Sequence, residues 1–164
     1  MINLIVLKKA IKYIGVTLLV AFVIIQFIKP EKNNSGYEGI TAFKIDTRPS
    51  VEVFSILKTH CFDCHSNHTK YPWYAEVAPI SFWLEDHVVH GKKHFNMSTW
   101  DSYSIKKRDH KLEELIEEIE EGEMPLNSYT WIHGNLSSND KNLLIQWAII
   151  ARLQYKEELN ISSK

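Results

Sequence analysis

The side chains best suited to chemistry in this sequence lie together in one short segment. Cys61, Cys64 and His65 form the pattern C-x-x-C-H, and the 164-residue chain has no other cysteine. On a helical turn, two thiols at this spacing can reach the two vinyl groups of one porphyrin, and the next imidazole then points at the iron. This pattern is the attachment signature of c-type haem. The sequence therefore predicts one covalently attached haem c per chain, with His65 as an iron ligand.

Three other kinds of site use the same two cysteines. A thioredoxin-like redox pair needs a strand before the motif and a βαβ framework, whereas the residues before Cys61 have helical spacing. A zinc site would combine Cys61 and Cys64 with two of the eight histidines. A disulfide between two cysteines of one helical turn has poor geometry. Haem attachment is favoured because an export signal and an aromatic-rich helical region accompany the motif.

Haem iron takes a second axial ligand or keeps an open face. Met124, in G-E-M-P, is the first candidate: it follows a helix end, lies 59 residues after His65, and precedes a proline that stiffens its loop. A thioether ligand raises the reduction potential and suits electron transfer. Met97 is the second thioether. Three histidines at helical spacing are alternative ligands, although a solvated helix face explains each of them singly: His87, His90 and His94.

Aromatic residues cluster after the motif. Tyr71 and Trp73 belong to the segment Y-P-W-Y, which begins six residues beyond His65, and Trp83 lies on the next predicted helix. We expect these three rings to wall one edge of the porphyrin. Ordinary core packing explains the same residues nearly as well.

The N-terminal segment has the character of a membrane anchor. Lys8, Lys9 and Lys12 precede an apolar run that ends at Ile28. Counted from Ala10, the segment would form roughly 28 Å of helix, close to a hydrocarbon core of about 30 Å. No small-x-small cleavage site follows, so an uncleaved anchor is favoured over a signal peptide. We expect a single pass through the inner (cytoplasmic) membrane, with the haem domain facing the periplasm.

The rest of the chain divides into a linker and one domain. Residues 1–29 are the predicted anchor. Residues 30–47 mix charged residues with Asn and Gly, and they are predicted to form a tether. Residues 48–158 carry four helical patterns: one after Pro49-Ser50, and others over 79–94, 105–121 and 137–155. Gly122 is placed as a C-terminal cap, and Ser137 with Asp140 resembles a capping box. The predicted fold class is mainly α.

The charge balance excludes one class of partner. A formal net charge of −1 and a pI near 6.7 leave no basic face for nucleic acid. The expected contacts are a membrane, through the N-terminal helix, and a redox partner protein that the sequence does not identify.

Residues 48–155 resemble the small haem-binding domain family found in exported, cytochrome-like bacterial proteins. The resemblance rests on six segments: CFDCHSNHTKYPWY (61–74), APISFWL (78–84), HVVHGK (87–92), NMSTW (96–100), GEMP (122–125) and LSSNDKNLLIQW (136–147). It implies one covalent c-type haem on Cys61 and Cys64, with His65 as the proximal ligand. It also implies a layout similar to cytochromes c, in which the first and last helices cross. It does not settle the sixth ligand.

The function that these features favour is one-electron transfer by a membrane-anchored monohaem cytochrome, without catalysis of a substrate reaction. The alternative is a haem-based sensor, or another haem protein that binds a small ligand at an exchangeable sixth position. The two differ in whether Met124 or a histidine occupies the iron.

Overall fold

The computed structural model describes residues 4–162, which are mainly helical and contain no strand. This confirms the predicted α class. In chain order the elements are α1 (Leu4–Ile25), α2 (Ile40–Thr47), α3 (Val51–His60), α4 (Phe62–His65), a 3₁₀-helix at Trp73–Glu76, α5 (Ile80–His94), a 3₁₀-helix at Met97–Ser102, α6 (Ile105–Glu121), α7 (Asn127–His133) and α8 (Ser138–Ser162).

The chain divides into two compact units. The smaller unit takes the chain up to Lys32 together with Tyr71–His87, and the larger takes Asn33–Lys70 together with the chain from Val88 onward. The C-x-x-C-H motif belongs to the larger unit. This division differs from the predicted succession of anchor, tether and domain, because each unit is assembled from separate stretches of chain.

Local capping signals set the ends of three helices as the sequence predicts. The Ser50 hydroxyl accepts a hydrogen bond from the amide of Val53 and opens α3. α6 ends at Gly122, whose φ of +79° is the left-handed conformation that glycine adopts without strain. Before α8, Ser137 and Asp140 satisfy each other's backbone amides, which is the predicted capping box.

The core of the larger unit is rich in aromatic rings. Phe43 of α2 meets Trp100 edge-on at a centroid distance of 5.1 Å and Trp147 of α8 at 5.8 Å. Such edge contacts are favourable beyond the apolar area that they bury. α6 packs along α8, and Arg152 joins the two helices through an ion pair of 2.8 Å to Asp109.

One carboxylate ties four elements of this core together. The Oδ2 atom of Asp46, on α2, accepts hydrogen bonds from Trp100 Nε1 at 2.7 Å, Arg108 Nη1 at 3.1 Å and the Tyr155 hydroxyl at 2.5 Å. These donors come from the second 3₁₀-helix, α6 and α8. A partly buried carboxylate is stable when its charge is paired and hydrogen-bonded in this way.

The tether predicted for residues 30–47 is wrong over its second half. Residues 40–47 form α2, and its side chains at i, i+3 and i+7, Ile40, Phe43 and Thr47, are buried. The flanking Asn, Gly and charged residues hide this short apolar pattern in the sequence. Tertiary packing stabilises the helix, because eight residues are too few to form one alone.

The predicted transmembrane anchor finds no support among residues 4–162, where no helix is both long enough and apolar enough to cross a membrane. α1 ends at Ile25, earlier than predicted. The side chain of Gln26 then bonds both the carbonyl oxygen and the amide of Ala78, at 3.0 and 2.9 Å. The uncharged part of α1, from Tyr13 to Ile25, is therefore only about 20 Å long at ~1.5 Å per residue.

Two substitutions on α2 test whether this helix belongs to the domain core. Phe43 is fully buried, whereas Ile45 is 69% exposed. We expect Phe43→Ala to lower the free energy of unfolding by about 3–5 kcal/mol, because it leaves a cavity between Trp100 and Trp147. Ile45→Ala should change it by less than about 0.5 kcal/mol. Urea denaturation measures both, and equal losses would contradict the placement of α2 in the core.

Candidate functional site

The C-x-x-C-H motif forms the junction between α3 and α4. Cys61 separates the two helices, its amide donating to the Leu57 carbonyl and its carbonyl accepting from the amide of His65, both at 2.9 Å. Between the cysteines, the ring of Phe62 is buried and meets Phe54 edge-on at 5.5 Å. The turn thus presents both thiols and the imidazole from one rigid segment whose position is fixed by an aromatic anchor.

The imidazole of His65 is held in a single orientation. Its Nδ1 lies 2.9 Å from the carbonyl oxygen of Phe95, and because a carbonyl can only accept, Nδ1 carries the proton. Burial lowers the pKa of His65, while the hydrogen bond to Phe95 acts in the opposite direction. The ring is therefore neutral and keeps its Nε2 lone pair for a metal. Metal-binding histidines commonly have such an orienting partner.

The two thiols are protonated. Burial raises the pKa of Cys61 and of Cys64 to about 12, with smaller contributions from Cys64 and Asp63 respectively. A reactive dithiol of the thioredoxin kind has a lowered pKa instead.

Across residues 4–162, no group of three or more His, Cys, Asp or Glu side chains is arranged to hold a metal ion. The donor set present, a thiol pair beside one oriented imidazole, fits covalent haem better than either rival.

Gly91 lets α5 approach the motif. A Cβ atom on Gly91 would lie 2.7 Å from the carbonyl oxygen of Cys64 and 3.1 Å from its Cβ. Glycine inside a helix costs about 0.5–1 kcal/mol relative to alanine. Its presence here has a packing reason, since any larger residue would push α5 away from Cys64.

Two further residues belong to the site and were not singled out from the sequence. The carboxylate of Asp63, between the cysteines, accepts from the amide of Lys70 at 2.9 Å and from the hydroxyl of Tyr129 at 3.0 Å. In the sequence, Asp63 occupies one of the two variable positions of the C-x-x-C-H motif, and nothing else distinguishes it. Tyr129 lies on α7, a helix that the sequence patterns did not indicate, 66 residues further along the chain.

The two candidate thioethers have different surroundings. Met97 is fully buried and belongs to the apolar core. Met124 is half-buried directly after α6, and its amide donates to the carbonyl of Glu118 at 3.1 Å. Met124 lies five residues before Tyr129 in the sequence, and the hydroxyl of Tyr129 contacts Asp63. Met97 is thus better explained by packing, and ligation of iron by Met124 stays a prediction.

The three candidate histidines of α5 differ as well. His87 places its Nδ1 2.8 Å from the carbonyl of Trp83 and packs on that ring at 4.2 Å. His90 and His94 are exposed, and His94 lies close enough to His65 to contribute to the lowering of its pKa. Ligation of iron by His87, His90 or His94 stays a prediction.

The predicted aromatic wall lies in the smaller unit. The Tyr71 ring has the ammonium of Lys32 5.4 Å from its centroid, Trp73 is 80% exposed, and Trp83 is 45% exposed. Their contact with a haem stays a prediction.

Comparison with known protein families identifies a family for this chain. A family model described as a haem-binding domain matches residues 20–149, which is most of the chain. No curated protein and no solved structure is significantly similar to this chain.

The close approach of Gly91 to Cys64 can be tested by adding one methyl group. We expect Gly91→Ala to lower the free energy of unfolding by about 1–3 kcal/mol, because the new Cβ forces apart two backbone segments. It should also reduce the amount of covalently bound haem. Gly15→Ala is the matched control, since nothing lies within 4 Å of that position. A Gly91→Ala protein as stable and as well loaded as the control would contradict this account of the packing.

Proposed function

The chain belongs to the family of haem-binding domains, and we propose that it is a monohaem c-type cytochrome that transfers single electrons. The observation that carries the proposal is the hydrogen bond between His65 and Phe95, beside the thiols of Cys61 and Cys64. It presents a neutral imidazole, whose Nε2 carries the lone pair, next to two attachment points. We assign the chain no catalytic residue and no substrate.

Each residue of the site has a distinct part in this proposal. Cys61 and Cys64 would hold the porphyrin through two thioethers, each of which would form by addition of one S–H across one vinyl group. His65 would bind the iron through Nε2, and its hydrogen bond to the carbonyl of Phe95 prevents the ring from rotating. When bound, the haem supplies a reversible change between ferrous and ferric iron.

The helical arrangement supports the comparison with cytochromes c. α3, which ends at the motif, packs on α8, the last helix. A pairing of the helix before the attachment site with the C-terminal helix is the layout that the sequence resemblance implies.

We also propose that the domain works on the periplasmic side of the inner membrane. Support comes from the sequence, through the lysines that precede the apolar N-terminal run and the covalent haem that the motif predicts. The apolar side chains of α1 are exposed, as with Leu18 and Leu19, which are 65% and 62% accessible. Haem-stained gels of membrane and soluble fractions test the attachment to the membrane, which mature protein lacking α1 in the soluble fraction would contradict. Protease added to intact spheroplasts tests the side: it should remove the stained band, and a band that is degraded only after lysis would contradict a periplasmic domain.

Removal of both attachment points tests the cofactor assignment. The wild-type chain, produced with a c-type maturation system, should give a pyridine haemochrome spectrum and a haem-stained band on a denaturing gel. Cys61→Ala combined with Cys64→Ala should lose the stained band entirely, because both thioethers are gone. A double variant that still stains would sink the assignment.

The sixth ligand decides between an electron carrier and a sensor. If Met124 binds iron, the ferric protein should show the weak charge-transfer band typical of methionine ligation. Met124→Ala should abolish that band, lower the reduction potential and admit carbon monoxide or cyanide, because the thioether stabilises ferrous iron and fills the site.

Met97→Ala is the control and should keep the band. A band that is lost only in Met97→Ala would identify Met97 as the iron ligand instead. A bis-imidazole spectrum that is lost on replacing His87, His90 or His94 would identify that histidine of α5 as the ligand. Carbon monoxide binding by the wild-type protein would favour the sensor.

A further inference from the structure

α7 is a short helix of the larger unit and is mostly exposed. None of its seven residues is buried, and the next two side chains after Thr130, those of Trp131 and Ile132, are 84% and 64% exposed. A helix this short and this exposed has little apolar burial to stabilise it. Its position must therefore depend on a small number of specific contacts.

Tyr129 makes the contacts that join α7 to the motif. Its hydroxyl lies 3.0 Å from the carbonyl oxygen of Thr59, near the end of α3, and 3.0 Å from Oδ2 of Asp63. Its ring stacks on His133 at a centroid distance of 4.1 Å and an angle of 11°. A phenol has one proton to donate, and a carboxylate is a stronger acceptor than a carbonyl. The bond to Asp63 is accordingly the stronger one.

Asp63 extends this contact to the rest of the site. Its Oδ1 atom accepts from the amide of Lys70, and its backbone carbonyl accepts from the hydroxyl of Thr69. Asp63 also stands between Cys61 and Cys64, so its carboxylate moves with the two attachment points. One side chain thus connects α7, the motif and the loop that follows it.

We propose that Tyr129 is a positioning residue of the haem site: through Asp63 it holds the segment 124–133 against the attachment turn and sets the reduction potential of the iron. The inference rests on the proposed function and adds a regulator of the potential to it. The physical reason is charge. A hydroxyl that donates to Asp63 neutralises part of a carboxylate located inside the motif, and negative charge near iron stabilises its ferric state.

Two single variants should shift the potential in opposite directions. Tyr129→Phe keeps the stacked ring but leaves the Asp63 carboxylate without its donor, so the potential should fall. A tenfold change in the equilibrium constant for reduction corresponds to about 59 mV for one electron, and we expect a shift of about this size. Asp63→Asn removes the charge, and the potential should rise. In the Asp63→Asn background, adding Tyr129→Phe should change the potential little.

Tyr155→Phe is the matched control, because it removes another phenol that donates to a carboxylate, that of Asp46 in the core. It should destabilise the fold without moving the potential. Spectroelectrochemistry on the full-length, haem-loaded proteins measures the potentials, and urea denaturation measures stability.

Equal potentials in Tyr129→Phe and Tyr155→Phe would overturn the inference, as would a shift of the same sign in Tyr129→Phe and Asp63→Asn. If Tyr129→Phe does not fold, a folded Asp63→Asn protein with the wild-type potential overturns it alone. A wild-type chain without covalent haem would instead overturn the proposed function, so the two failures are distinct.

Discussion

The hydrogen bond from His65 to the carbonyl of Phe95 is the constraint around which the larger unit is organised. Phe95 directly follows α5 and precedes the 3₁₀-helix Met97–Ser102, which packs against α2 in the core. Through this bond the direction of the imidazole is fixed by the aromatic core. The bond forms only because α5 comes close enough to the motif, and Gly91 permits that approach. Electronic tuning of a metal by such outer contacts is general among metalloproteins.

A polar network joins the loop that follows the motif to residues 96–98, which directly follow Phe95. The amide of Asn67 donates to the hydroxyl of Ser98, and the side-chain amide of Asn96 donates to Oδ1 of Asn67, both at 2.9 Å. Asn33 donates to the carbonyl of Ser66 at 2.8 Å. The polar residues in the segments SNHT and NMST therefore act as structural partners of one another. Satisfied polar networks of this kind favour a single arrangement, since each lost bond would leave a buried group unpaired.

The sequence predicts those parts of the structure that depend on neighbouring residues. The cap at Ser50, the glycine at the end of α6 and the periodic apolar residues of α5 act within one or two helical turns, and they place these helices correctly. α2 is missed because its three buried residues stand among charges, and distant residues stabilise it through the rings of Trp100 and Trp147 and the hydrogen bonds of Asp46. The contacts of His65 with Phe95 and of Asp63 with Tyr129 span 30 and 66 residues. No local pattern records them, so the motif is predictable and its surroundings are not.

The distance along the chain between the motif and α8 has a consequence for biosynthesis. α8 supplies Leu144, Trp147 and Ala148 to the core, and Tyr155 completes the contacts of Asp46. The core cannot close until this last helix has been made. About 90 residues separate Cys64 from Tyr155, and at a synthesis rate of about 5–20 residues per second they take roughly 5–20 s to add. During that interval the C-x-x-C-H motif has already been synthesised, while the core that packs around it is still open.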